Sequence, residues 1–247
     1  SLKNNMPKSL KIYIFLLVLI FIGIIWADAT KEKPIDWRES YSLNEKIPFG
    51  LYVFNQEHKA IFKPQTVEKF SESPYEFLDK NYNTYDSIYD IEGTILLIQN
   101  KAAIDEYSEN ELFYFASHRN AIFYSNSNFS QKFADSLGFE IEYSNDFADS
   151  LQFKINQNQK AGNFYFNKGI NTAYFSKIDS SKTEVLGTQI NSKGEEFANF
   201  IKVKHLNGNF YLHLQPVAFT NYYLLNKNSQ YTEDILGYIP SKSPIYW

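Results

Sequence analysis

The sequence predicts an α/β domain behind a membrane-spanning helix, with a mainly parallel sheet, helices on both faces of that sheet, and an antiparallel β insertion. Three observations predict this fold. An uncharged apolar run lies near the start of the chain, at residues 12–26. Short apolar runs then alternate with amphipathic helical patterns up to about residue 145. From residue 146 onward the helical pattern stops and turn signals separate short strands.

The apolar run predicts a transmembrane helix over residues 12–27. With the two preceding residues it gives about 18 residues, or about 27 Å of helix, which is close to the thickness of a bilayer core. Lys3, Lys8 and Lys11 precede the run, and no acidic residue lies among them. By the positive-inside rule, residues 1–11 are a cytoplasmic tail. The main domain is then periplasmic, held at the inner (cytoplasmic) membrane by a single span.

Two other interpretations of this run stay open. Ala27-Asp28-Ala29 fits the pattern of a signal-peptide cleavage site, although the bulky Trp26 just upstream and the length of the run favour an uncleaved anchor. A buried core helix could be equally apolar, but the basic flank before the run and the charged flank after it argue against one.

The remaining chain divides into a linker, a domain and an insertion. Residues 28–48 lack periodicity and are interpreted as the linker, and the α/β domain occupies residues 49–145 and 200–240. Strands are predicted at residues 50–54, 66–70, 94–98, 121–124 and 139–143. Helices are predicted at residues 57–62 with Asn55 as the cap, from Pro74, from a capping box at 108–111, at 129–137 and at 232–238. The alternation over 94–143 predicts right-handed crossovers and a parallel sheet.

Residues 146–199 are predicted to form the β-rich insertion. Strands at 163–166 and 172–175 flank a turn signal and predict a hairpin. It places Tyr165 and Tyr174 among consecutive aromatic residues, so one face can pack on the sheet while the other is left for a protein partner. The alternative, in which both faces are buried, stays open. A second hairpin is predicted at Asn207-Gly208.

Composition excludes several classes of function. The chain has 24 basic and 28 acidic residues and a net charge of −4, so it has no basic excess to follow a phosphate backbone, and nucleic acid is not an expected partner. Cysteine is absent, which excludes disulfides, thiolate nucleophiles and zinc–thiolate sites. Neither a phosphate-binding glycine loop nor a paired-histidine motif occurs, so no cofactor and no metal site are expected.

Uncharged polar side chains are predicted to meet at the carboxyl ends of the strands, where open α/β sheets bind ligands. The candidates are Asn55, Asn100, Ser125, Asn126 and Asn221. Their amide and hydroxyl groups suit a small polar ligand or a glycan. Ser125 lies between a strand and a helix, as the serine of a nucleophile elbow does. Because no glycine flanks it and no motif supplies a base, no catalytic residue is assigned.

Four segments resemble an uncharacterised family of membrane-anchored exported proteins with a class I glutamine-amidotransferase-like, flavodoxin-related domain. They are KPIDW (33–37), KIPFGLYVF (46–54), ELFYFASHRNAIFYS (111–125) and NGNFYLHLQPVAFTNYYLL (207–225). The resemblance implies an extracytoplasmic domain without the amidotransferase Cys-His-Glu set, often encoded beside MoxR-type AAA+ ATPases. It also implies that the natural chain continues beyond Trp247 into a second membrane helix. Asn120 departs from the family, which usually has glycine there.

The sequence therefore favours a non-catalytic, membrane-anchored periplasmic module that interacts with envelope or membrane proteins. Two alternatives stay open. One is a domain that binds a small polar ligand or a glycan. The other, which the sequence favours least, is a serine-type hydrolase.

Overall fold

The N-terminal part of the chain is a single long helix. In the computed structural model, which describes residues 7–32, 34–144, 150–156, 164–226 and 228–247, α1 spans Lys8–Ala29 and contains the whole predicted membrane segment. Its side chains are all exposed, and by length and composition it can cross a membrane. Residues up to Asp36 form one unit, and residues from Trp37 onward form a second.

The second unit contains six helices and thirteen strands among the described residues. The helices are α2 (Tyr52–Ile61), α3 (Pro74–Lys80), α4 (Glu106–Ser117), α5 (Gln131–Leu137), α6 (Asn221–Leu224) and α7 (Ser229–Leu236). The strands are β1 (Val67–Glu68), β2 (Tyr82–Asn83), β3 (Ile88–Tyr89), β4 (Thr94–Ile98), β5 (Ala121–Ser125), β6 (Phe139–Tyr143), β7 (Leu151–Ile155), β8 (Phe164–Phe166), β9 (Ala173–Ile178), β10 (Thr183–Ile190), β11 (Glu196–His205), β12 (Gly208–His213) and β13 (Ile245–Tyr246).

Eleven of the described strands form one mixed sheet. Its order is β1, β13, β4, β5, β12, β11, β10, β7, β8, and β9 pairs with β11 and β6. The pairs from β1 to β12 are parallel, whereas the pairs beyond β12 are antiparallel. The prediction of an α/β sheet with a parallel centre and an antiparallel part is confirmed at this level.

Helices cover both faces of the sheet, as predicted, and the burial of β4 on both of its faces shows this. All five of its residues are buried, with Leu96 and Ile98 in one core and Ile95 and Leu97 in the other. A strand buried on both faces reads as a continuous apolar run. The first core also contains the buried side chains of α2, α6 and α7, and the second contains those of α3, α4 and α5.

Side-chain caps set where the helices begin. The hydroxyl of Ser73 accepts the N–H of Glu76 at 3.2 Å and completes a capping box on α3. The carboxylate of Asp105 accepts the N–H of Ser108 at 2.9 Å, so α4 begins near 106 and not at the predicted capping box, which lies inside its first turns. Gly138 ends α5 in the left-handed conformation, with φ +76°.

The strand predicted at 50–54 is wrong, because this segment begins α2. The side-chain oxygen of Asn221 accepts the N–H of Val53 at 2.7 Å in the first helical turn, and Phe54 and His58 are buried one turn apart. A five-residue apolar run does not distinguish a strand from the start of a buried helix. Asn55 therefore lies inside α2 and neither caps it nor follows a strand.

The last strand of the predicted parallel series is also placed elsewhere. β6 pairs antiparallel with β9, with Phe139 opposite Ile178. The position beside β5 is occupied by β12, whose Phe210 lies opposite Ile122 in a parallel ladder. Because β4 holds the other side of β5, no edge of β5 remains for β6.

The hairpin predicted across 163–175 does not form between its two strands, and its first residue lies outside the described part. β8 pairs with β7, whereas β9 pairs with β6 and β11. β7, β8 and β10 extend the main sheet, and the predicted boundary between insertion and domain at 199/200 falls inside β11. The predicted insertion is thus continuous with the domain.

The hairpin predicted at Asn207-Gly208 is confirmed, with His205 opposite Gly208 at the base of the turn. Space requires the glycine: a Cβ at Gly208 would lie 2.1 Å from the carbonyl oxygen of Ala116 and 2.2 Å from that of Asn120. The turn therefore packs directly on the end of α4.

Part of the predicted linker belongs to the domain. The ring of Trp37 lies 5.5 Å from that of Phe49 and 5.4 Å from that of Tyr222, and Tyr41 packs against the same core. The N–H of Tyr41 donates to the carbonyl of Phe49 at 3.0 Å. Residues 37–48 are therefore fixed on the domain, and the segment free to act as a tether is shorter than 28–48.

Candidate functional site

The carboxyl ends of the three central parallel strands bring a set of polar side chains together. Ile98, Ser125 and His213 are in register across β4, β5 and β12. Of the five predicted pocket residues, Asn100, Ser125 and Asn126 lie at this edge, as their positions after β4 and β5 predict. The structure adds His213, for which no sequence motif predicts a place in the site.

A chain of hydrogen bonds runs inward from Ser125. Its hydroxyl lies 2.9 Å from Nδ1 of His213, and Nε2 of His213 lies 3.0 Å from the hydroxyl of Tyr231 on α7. Nδ2 of Asn199, on β11, donates to the same tyrosine hydroxyl at 3.3 Å. All four residues have 0% of their surface exposed.

Burial keeps this chain uncharged. It lowers the pKa of His213 to about 3, and it raises the pKa of the Tyr231 hydroxyl. Both groups are therefore neutral at pH 7.

Each ring nitrogen of His213 lies within hydrogen-bond distance of one hydroxyl, Nδ1 of Ser125 and Nε2 of Tyr231, so the neutral ring donates at one nitrogen and accepts at the other. A serine nucleophile must contact its substrate, and the Ser125 hydroxyl is sealed inside the core.

Asn126 uses its whole hydrogen-bonding capacity inside the fold. Its side-chain oxygen accepts the backbone N–H groups of Lys101 and Asn128, and its amide nitrogen donates to the carbonyl of Ala102 at 2.7 Å and to the hydroxyl of Tyr124 at 2.9 Å. An asparagine side chain has two donors and two acceptor positions. Asn126 therefore shapes the loop after β4 and has nothing left for a ligand.

Asn100 is also engaged. Its amide nitrogen donates to the carboxylate of Glu39 at 2.6 Å, and its oxygen accepts the hydroxyl of Ser127 at 3.0 Å. Lys101 adds an ion pair to Glu39 at 3.5 Å. Glu39 comes from the segment predicted as linker, so that segment covers part of the edge where ligands were expected.

The other two predicted pocket residues lie elsewhere. Asn221 is 3% exposed, and its amide nitrogen donates to the carbonyls of Glu45 and Ile47 while its oxygen holds the start of α2. Asn55, inside α2, donates to the carbonyl of Leu43 at 3.0 Å and accepts from Lys69. Asn221 is a clamp for residues 45–53, and neither residue belongs to a common pocket with Ser125.

The two predicted partner-surface residues differ from each other. Tyr165, in the edge strand β8, is 60% exposed between the buried Phe164 and Phe166. The hydroxyl of Tyr174 donates to Glu142 at 2.8 Å, and its ring lies 4.6 Å from that of Phe197. Tyr165 is the one that presents its ring to solvent.

A separate cleft opens between α2 and α7 in the helical layer. Its volume is about 630 Å³, and its walls include Val53 and Ile61 on α2 and Leu236 on α7. No local sequence pattern predicts this cleft, because the two helices are more than 160 residues apart and only the fold brings them together. The α2 residues that line the cleft, at positions 53, 57, 60 and 61, have the spacing of residues on one side of a helix.

Comparisons with known proteins leave the family open. No protein-family profile matches this chain, and no curated protein matches it. Among solved structures it is similar to an exo-β-1,4-mannosidase from Opitutaceae bacterium strain TAV5, with a TM-score of 0.39 and 13% identity over 58% of this chain and 23% of the enzyme. A β-galactosidase from Bacillus circulans sp. alkalophilus gives 0.35 and 10%, over 57% and 22%. A cytoplasmic protein from Salmonella typhimurium gives 0.38 and 10%, over 69% and 76%. Likeness at this level carries no inference about activity or substrate.

Proposed function

We propose that this protein is a membrane-anchored, extracytoplasmic module that contacts other envelope or membrane proteins and does not itself catalyse a reaction. The observation that carries the proposal is that the polar side chains at the carboxyl edge form hydrogen bonds with other parts of the domain. Ser125, Asn126 and Asn100 spend their hydrogen-bonding groups on His213, on the loop after β4 and on Glu39. Open α/β sheets usually bind ligands at this edge, whereas here the polar side chains at the edge hold parts of the fold together.

The two alternatives have less support. A serine hydrolase needs a hydroxyl that its substrate can reach, whereas Ser125 is fully buried. A ligand or glycan pocket made from the five predicted polar residues needs them to share a cavity, whereas Asn55 and Asn221 hold other segments.

The length and composition of α1 support a membrane anchor. A domain attached to such an anchor has a raised effective concentration toward neighbours in the same membrane. The three lysines around the start of α1 favour a cytoplasmic N-terminus and a periplasmic domain. The resemblance to a family encoded beside MoxR-type AAA+ ATPases suggests an envelope complex of that kind as the partner.

The proposed contact surface lies around Tyr165. Its ring is exposed at the sheet edge, and Leu225, 73% exposed, ends the neighbouring helix α6. The start of α7 is held to β8 because Asn228 donates to the carbonyl of Tyr165 at 2.8 Å. An exposed tyrosine at a sheet edge suits a protein interface, and the exposed leucine adds apolar surface beside it.

Orientation is tested first with single cysteines, since the chain contains none of its own. Lys31→Cys and Lys8→Cys lie just beyond the end and at the start of α1. In intact cells from which the outer membrane has been removed, a membrane-impermeant maleimide should label Lys31→Cys, and should label Lys8→Cys only after lysis. The reverse pattern would refute the periplasmic placement.

The interaction and the absence of catalysis need separate tests. Crosslinking in native membranes should give one or a few discrete adducts, which Tyr165→Ser combined with Leu225→Ser should reduce at least fivefold. Tyr85→Ser, a change at a 97% exposed tyrosine away from β8, is the matched control. A fluorophosphonate probe should not label the protein. Labelling that Ser125→Ala abolishes would refute the non-catalytic proposal.

A further inference from the structure

The cleft between α2 and α7 has the form of a small-molecule site. Its floor is apolar and includes Phe62, Leu236 and Ile239, of which Phe62 and Ile239 are 3% and 4% exposed. Its volume of about 630 Å³ lies within the roughly 300–1,000 Å³ typical of ligand pockets. The lining includes two residues with little or no side chain, Ala60 on α2 and Gly237 at the end of α7, which leave space between the two helices.

The charges around this floor are unequal. Glu57 belongs to the α2 wall and Glu233 to the α7 wall, and Lys63 is the cationic residue of the lining. Both glutamates are exposed, and within the described residues neither carboxylate forms an ion pair or a side-chain hydrogen bond. The lining therefore carries an excess of negative charge above an apolar floor.

We propose that this cleft binds a cationic amphiphile, a small molecule with an apolar body and one amine or quaternary ammonium group. The apolar body lies against Phe62, Leu236 and Ile239, and the cation lies toward Glu57 and Glu233. An anionic ligand of the same shape meets two carboxylates with one lysine to offset them. This site is distinct from the buried Ser125 network, and it does not depend on the contact surface around Tyr165.

The test uses the full chain in nanodiscs of zwitterionic lipid, with two probes of matched shape and opposite charge. These are 4-phenylbutylamine and 4-phenylbutyrate, both soluble in water. Binding is followed by ligand-observed saturation-transfer NMR, with empty nanodiscs subtracted. We expect saturable binding of the amine and at least tenfold weaker binding of the acid, since each exposed charge contact contributes a few-fold in affinity.

Variants locate the site. Glu57→Gln combined with Glu233→Gln should weaken amine binding about tenfold. Ala60→Trp should abolish amine binding, because the indole ring fills the space between the two helices. Asp79→Asn combined with Asp234→Asn removes the same charge outside the cleft lining and should leave the affinity unchanged. Circular dichroism confirms that each variant is folded. Equal binding of the two probes, or an unchanged affinity in both cleft variants, would overturn the proposal.

Discussion

The burial of His213 predicts how much unfolding free energy the domain loses through this one residue when the pH is lowered. Complete burial lowers the pKa of this ring from 6.5 to about 3 in the folded state. In the unfolded chain the ring titrates near 6.5, so the unfolded state binds the proton first and stability is lost as the pH falls below that value. Between pH 7.5 and 5.0 the loss is about 2 kcal/mol, and below both pKa values it approaches about 5 kcal/mol.

Urea unfolding of residues 37–247 at several pH values measures this effect. His213→Gln removes the titrating ring but keeps an amide that can reach both neighbours, so its stability should fall by about 2 kcal/mol less than that of the wild type between pH 7.5 and 5.0. Burial of His58 and His205 also lowers their pKa values, and both remain in the comparison, so their contributions cancel.

Ser125→Ala is the matched control. It removes the hydrogen-bond partner of Nδ1 but leaves the ring buried, and burial is the cause of the lowered pKa. This variant should keep the pH dependence of the wild type. If His213→Gln and the wild type lose the same stability on acidification, water reaches the ring, and the sealed network that argues against catalysis does not exist.

Three further predictions test single contacts. Nitrogen NMR should show a neutral His213 ring, in contact with Ser125 at Nδ1 and Tyr231 at Nε2, at both pH 7.5 and pH 5.0; a ring that gains a proton in this range would mean that burial does not lower its pKa. Asn221→Ala should cost about 2–4 kcal/mol of unfolding free energy, because it strands a buried N–H and two carbonyls, whereas Asn226→Ala at an exposed site should cost less than about 0.5 kcal/mol. Lys168→Met should cost about 0.5–1 kcal/mol by urea unfolding, because the ammonium lies 3.8 Å from the centre of the Trp37 ring; no change would mean that the pair is not formed in solution.

Local signals in the sequence were sufficient for several elements. The uncharged run of α1, the continuous apolar run of β4 and the Asn-Gly turn between β11 and β12 each depend on chemistry within a few residues. The side chains of β12 alternate, as in any strand: Phe210 and Leu212 enter one core, and Tyr211 enters the other. These elements need no information from distant parts of the chain.

The candidate site also has a part that local sequence signals predict and a part that depends on distant residues. Positions after β4 and β5 sufficed to bring Asn100, Ser125 and Asn126 to one edge, because parallel strands end together. Nothing local relates Ser125 to His213, since 88 residues separate them and the parallel pairing of β5 with β12 creates the contact. Burial, which decides what a serine–histidine pair can do, belongs to the packed core.

The sequence by itself determined the membrane-length helix, the α/β class and the exclusion of thiol, disulfide and zinc–thiolate chemistry. Tertiary structure alone decided that residues 50–54 begin a helix, that β6 leaves the parallel series, and that the predicted insertion continues the main sheet. The physical reason is competition for partners. A short apolar run can satisfy its hydrogen bonds as a strand or a helix, and a strand can pair wherever an edge is free. Only the positions of Asn221 beside Val53 and of β12 beside β5 settle which partner is taken.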